Sequence, residues 1–249
     1  MMKFSKHVLA GLLLANTAAY AATPAEGWYA GLMGGLSYTQ ALSTQASFPS
    51  LTAFPNLFLF VPATINTKIN FGVGGDIGLQ VGYRMCNFRA EGELLFDYIP
   101  YSSLQLGRVT LKKHVTRHNP FIRLGGNAGF AAGFINGFYD FYDEENDPSW
   151  VPYLGVGIGY SYIRSSTTLS LPYLLYQFPA LFSYGESFSV KRSTSTPMGQ
   201  AIIGLNYFYS DTTSFGLDYR FMSTKTLSRL NGRAQSSAIN LVLNFAFDN

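Results

Sequence analysis

One stretch, INFGVGGDIGLQVGYR at residues 69–84, limits the fold more than any other part of the chain. Its odd positions read Ile69, Phe71, Val73, Gly75, Ile77, Leu79, Val81 and Tyr83. Its even positions read Asn70, Gly72, Gly74, Asp76, Gly78, Gln80, Gly82 and Arg84. A period of two belongs to a β-strand, whose side chains alternate between faces. The run is far longer than the usual strand of about 5–6 residues in a soluble sheet. It suits a tilted strand that crosses a bilayer and continues beyond it.

Seven further segments repeat the pattern. Strand 27–39 sets Trp28, Ala30, Leu32, Leu36 and Tyr38 on one face. Strand 88–98 opposes Phe88, Ala90, Leu94, Phe96 and Tyr98 to Arg89, Glu91, Glu93 and Asp97. A fourth, over about 120–134, is read with Ile122, Leu124, Ala128 and Phe130 outward and Arg123, Gly125, Asn127 and Gly129 inward. The fifth, 152–162, opposes Leu154, Val156, Ile158 and Tyr160 to Tyr153, Gly155, Gly157 and Gly159. The last three, 198–208, 214–221 and 237–247, alternate likewise, with Gln200, Asn206, Asp218, Arg220, Asn240 and Asn244 on the polar side.

Only 12% of the chain is charged, about half the ~25% usual in soluble domains. Yet no window holds the ~18 uninterrupted apolar residues of a membrane helix. The expected fold is therefore all-β, an eight-stranded antiparallel up-and-down transmembrane β-barrel. An even strand number leaves both chain ends on one side, and closure leaves no backbone edge in hydrocarbon. The apolar faces would meet lipid and the polar faces would meet each other. A sandwich is disfavoured because its core would have to bury Arg, Glu and Asp. Short links near Met85–Asn87 and Ser210–Thr213 alternate with long connections, as periplasmic turns alternate with external loops. The link INGFYDFYDEENDPSW, 135–150, is long for such a turn and is read as a solvated acidic segment, including Asp140. Its acids lack the spacing of an EF-hand, so no metal is expected.

The N-terminus has Lys3 and Lys6, then the apolar VLAGLLLA, then Ala19-Tyr20-Ala21. This is the layout of a secretory signal peptide over residues 1–21, with the barrel domain over 22–249. Cys86 is the lone cysteine, so no internal disulfide is available. The near-neutral mature charge gives no reason to expect nucleic acid as a partner.

Together, GWYAGLMGGLSY, PYLGVGIGYSY, FGLDYRF and the final alternating strand resemble the small outer-membrane β-barrels of Gram-negative bacteria, the opacity-protein-like and OmpA/OmpX-like surface antigens. The resemblance spans the chain after residue 21. It implies a monomer in the outer membrane, inserted by the barrel-assembly machinery and surrounded by lipid and lipopolysaccharide, with no cofactor. The family's terminal aromatic is matched by Phe247, here followed by Asp248 and Asn249.

Three groups of residues are candidates for function. Inward charges Arg84, Arg89, Arg123 and Arg220 face Asp76, Glu91, Glu93, Asp97 and Asp218, a near-balanced set. An eight-stranded barrel is just wide enough for its side chains to fill it, so these are read as a salt-bridged plug. The alternative is a narrow conduit through rearranged pairs. The glycines fall on alternate strand positions, which suits space-saving inside a barrel rather than a nucleotide-binding loop. In the second external loop, Lys112, Lys113 and Arg117 flank His114 and His118 and are candidate contacts for lipopolysaccharide phosphates. No strand-borne His–Ser pair of a lipid A-modifying enzyme is present, so a non-enzyme is expected. Finally, AFPNLFLF (53–60) is nearly repeated as QFPALFSY (177–184). Its Phe54, Leu57, Phe58 and its Phe178, Leu181, Phe182 form an apolar loop patch suited to a host, lipid or neighbouring molecule.

Overall fold

The computed structural model describes residues 26–47, 64–106, 109–112, 123–142, 149–170, 187–225 and 233–247. The strands are β1 (Gly27–Thr39), β2 (Leu42–Ser47), β3 (Thr64–Phe71), β4 (Val73–Met85), β5 (Phe88–Leu106), β6 (Val109–Lys112), β7 (Arg123–Asp140), β8 (Trp150–Ser170), β9 (Ser187–Phe208), β10 (Thr213–Thr224) and β11 (Gln235–Ala246). Eight of them close on themselves in the order β4–β1–β11–β10–β9–β8–β7–β5, with β5 pairing back to β4. All neighbours are antiparallel. The remaining three, β2, β3 and β6, extend the far end of β5 as a small sheet.

Gly27 and Ala246 share one rim with the connections 86–87, 141–149 and 209–212. The short turns and both described ends thus occupy one side, and the long connections the other. At the tightest turn Cys86 has φ of 49°, and its N–H donates to Glu26 Oε1 at 2.7 Å. That hydrogen bond holds the Glu26 carboxyl below its ordinary value.

Alternation along each strand becomes inside and outside. On β4, exposure and burial alternate without a break from Val73 to Met85. Outward side chains such as Ile135 (74%), Ile158 (76%) and Leu241 (69%) are largely bare. A band of this kind around the whole circumference is far more exposed apolar surface than a water-soluble monomer carries. Hydrocarbon accepts it, and barrel closure satisfies the backbone within it. Aromatic pairs ring the turn side: Trp28 with Tyr83 (5.3 Å), Phe88 with Tyr139 (5.1 Å) and Trp150 with Tyr207 (4.7 Å).

Two expectations are corrected. The fourth strand faces the other way: Ala128 and Phe130 are buried inside, and the strand runs on to Asp140. Its sequence has apolar or small residues at both parities, so period two has two solutions. Pairing selects one. Phe130 lies directly opposite the inward Asp97 of β5, and opposite residues share a face. The long acidic link therefore shrinks to 141–149. Next, the second barrel strand starts at Val73, not at Ile69. A register shift at Asn70/Phe71 turns Ile69 and Phe71 against Tyr101, Leu104, Leu111 and Ala128, a separate apolar cluster under the β3–β5–β6 sheet. Tyr101 is buried in that cluster as well.

Candidate functional site

From the turn rim upward, the lumen is filled in tiers. Arg84 and Arg89 sit directly opposite each other on β4 and β5, an arrangement that is repulsive by itself. Asp140, fully buried at the end of β7, answers both. Arg89 Nε donates to its Oδ1 at 2.9 Å and lies 2.8 Å from Oδ2, while Arg84 Nε is 3.4 Å from Oδ2. Arg89 also pairs with Glu91 at 2.8 Å, and Tyr29 Oη donates to the same Glu91 oxygen. Both guanidinium groups lie over aromatic faces, Arg84 over Phe208 at 5.0 Å and Arg89 over Phe138 at 4.6 Å. These contacts replace the water that the two cations lose on burial.

The middle tier centres on Arg220. It donates to Asp218 through Nε (3.0 Å) and Nη2 (2.9 Å), a two-pronged grip, and to Glu93 through Nη1 (2.7 Å). Around Glu93, Asn136 donates to the carboxylate at 2.7 Å, and Gln200 donates to the Asn136 oxygen at 2.7 Å. Asp76 and Asp97 face each other across β4 and β5. Each has its own donor: Ser37 Oγ reaches Asp97 at 2.8 Å, and the Asn240 amide nitrogen, turned toward Asp76, reaches it at 2.9 Å.

Apolar side chains share this level and extend beyond it: Leu95 precedes Asp97 on β5, and Phe130 lies opposite Asp97. Met33, Leu95, Ile99, Phe130, Phe134, Met198 and Met222 form one buried cluster across the barrel. Charged, polar and apolar side chains together occupy the described interior, and all of those named are buried.

Of the inward charges expected, Asp76, Arg84, Arg89, Glu91, Glu93, Asp97, Asp218 and Arg220 are all buried in the lumen. Arg123 opens β7, and its side chain lies outside the described residues. The near-balance is corrected: with Asp140 added, the described interior holds three arginines against six carboxylates. Asp140 escapes the sequence reading because it falls within the acidic link. The usable signal was the run Phe134, Asn136, Phe138, Asp140, which keeps one parity into the link. The apolar cluster escapes it because Phe130 and Phe134 belong to the inverted strand. Lys112 is exposed at the end of β6. Lys113, Arg117 and the loop residues Phe54, Leu57, Phe58, Phe178, Leu181 and Phe182 lie outside the described residues, as does the expected signal peptide.

A closed eight-stranded barrel with a lipid-compatible exterior and a paired polar interior is a transmembrane barrel of the bacterial outer membrane. The chain belongs to the outer membrane protein beta-barrel domain family, whose model matches residues 7–247. Among solved structures it is similar to OprG of Pseudomonas aeruginosa, at 11% identity and a TM-score of 0.51, covering 91% of this chain and 99% of that one. It also matches Neisserial surface protein A (14% identity, TM-score 0.42, 89% and 97% covered). Ail, the attachment invasion locus protein of Yersinia pestis, follows at 11% identity and a TM-score of 0.37, with 89% and 100% covered. The last two overlap too loosely to carry an argument, and OprG supports the fold alone. No curated protein matches the chain.

Proposed function

We propose that this outer-membrane barrel is a surface antigen or adhesin: a rigid, plugged scaffold that holds external loops against a host, lipid or neighbouring molecule. The observation that carries the reading is a lumen occupied by buried side chains, which leaves the outer rim as the part of the molecule able to meet a ligand outside the membrane. Strand length supports it. β5, β8 and β9 run 19, 21 and 22 residues, against the ~9–11 needed to cross a bilayer, so they lift their loops clear of the membrane. Loops one and three carry the two Phe-Pro-x-Leu-Phe segments, and Phe54, Leu57, Phe58, Phe178, Leu181 and Phe182 are the proposed contact patch. Lys112, Lys113 and Arg117 are proposed to touch lipopolysaccharide phosphates. Export through a leader cleaved after Ala21, insertion by the barrel-assembly machinery and a monomeric state complete the proposal, with no enzymatic activity.

Replacing Phe54, Phe58, Phe178 and Phe182 with Ser tests it. Binding to cells or vesicles should fall while the unboiled barrel keeps its fast gel migration; unchanged binding with a folded barrel removes the loop reading. The rival narrow conduit is tested in planar bilayers. The plug leads us to expect no steady conductance, and open-channel currents would reverse the choice.

A further inference from the structure

The outer wall carries a groove of about 1000 Å³ that the loop reading does not use. Its floor follows one cross-strand row, Leu94–Gly133–Tyr160–Pro197, which ends at Lys225. The Lys225 N–H donates to the Pro197 carbonyl at 3.0 Å, which continues the ladder past the end of β10. The neighbouring row supplies Gly92, Ile135, Ile158 and Gly199. All these positions belong to the lipid-facing parity.

The groove exists because glycine stands where a larger side chain would fit. A Cβ on Gly133 or Gly199 would meet nothing nearer than 3.7 Å, and on Gly92 nothing nearer than 3.9 Å. Inside the lumen the opposite holds. A Cβ on Gly31 or Gly35 would run into an asparagine side chain and a backbone carbonyl. Interior glycines are thus required by packing, and these exterior ones are not.

Position and charge say what fits. Leu94 lies midway along the exposed belt of β5, between Phe88 and Tyr98, whereas Lys225 lies beyond the belt at the outer rim. Four strand spacings separate them, about 19 Å. With strands tilted by ~45°, the row descends about 13 Å, close to the ~15 Å of one leaflet. Its upper end carries Lys225 and Arg233, and Arg164, Lys191 and Arg192 are exposed farther out on β8 and β9. Among the described residues no acid stands on the outer rim. The geometry points to a docking site for one phosphorylated acyl lipid of the outer leaflet, its chain in the groove and its phosphate at Lys225 and Arg233. This rests on the membrane placement of the barrel and is independent of the loop patch.

The test is native mass spectrometry of the full barrel in detergent, titrated with bis-phosphorylated lipid A or its dephosphorylated form. One lipid A should be retained at concentrations where the dephosphorylated form is not. Gly133→Phe with Gly199→Phe, which fills the groove, and Lys225→Ser with Arg233→Ser should each weaken retention about tenfold, the scale of one lost charge-assisted contact. Lys68→Ser, exposed on β3 at another part of the rim, should leave it unchanged. Equal binding of the two lipids, or wild-type retention by both double variants, overturns the proposal. If the phenylalanine variant does not insert, the serine pair decides alone, because its side chains are exposed beyond the belt.

Discussion

Asp140→Asn is the most informative single substitution. The side chain is fully buried, lies 2.8 Å from Arg89 Nε and 3.4 Å from Arg84 Nε, and reconciles two arginines that face each other across β4 and β5. Asparagine keeps the shape and removes the charge. Arg89 retains Glu91 at 2.8 Å, but no other carboxylate lies within salt-bridge distance of Arg84 among the described residues. Breaking one side of a buried pair costs about 3–5 kcal/mol, because the remaining charge has lost both water and partner. A second substitution, Arg84→Met, removes the stranded cation and should return about 0.5–3 kcal/mol of that loss, the range expected for coupled neighbours. Urea unfolding in lipid vesicles, followed by fluorescence of Trp28 and Trp150, measures both. Asp211→Asn, at an exposed turn, serves as the control and should stay within about 0.5 kcal/mol of the parent. If Asp140→Asn also stayed within that range, Asp140 would be in water and the tiered interior would be wrong.

Two further outcomes follow from the same geometry. Gly35→Val drives its side chain into the Ile239 carbonyl and Asn240, so it should cost at least ~1–3 kcal/mol. Gly137→Val meets nothing within 4 Å on the lipid side and should be neutral or stabilising by up to ~1 kcal/mol, read in the same unfolding assay. Glu26 should titrate below 4.5 by NMR in micelles, because the Cys86 N–H bonds its ionised form. Its folded value is lowered, so its contribution to holding the turn is present above the unfolded value and fades as pH falls. A midpoint at or above 4.5 would show the hydrogen bond to be absent.

The barrel was readable because its exterior obeys one rule without exception over long stretches. On β4 the apolar residues occupy a single parity, and on β10 and β11 the large ones do apart from Met222 and Val242, while the polar partners Asp76, Arg84, Asp218, Arg220 and Asn240 occupy the other. Lipid outside and pairing inside permit only one assignment there. Strand number, closure and the inward placement of those charges follow from that periodicity and from the cost of an open edge in hydrocarbon.

Where both parities are apolar or small, as in GGNAGFAAGFINGFYD, periodicity says strand but not which face. The decision came from β5. Its inward Asp97, Glu93 and Arg89 bring Phe130, Phe134 and Phe138 inward with them, because residues paired across an antiparallel ladder share a face. Asp140 follows by parity, and the two opposed arginines obtain their counter-ion. The alternation along one strand is a local property, carried by the chain itself. The phase of a strand with no polarity difference, the apolar cluster among the charges and the groove descending from Lys225 exist only once neighbours are registered, because each is assembled from residues on several strands.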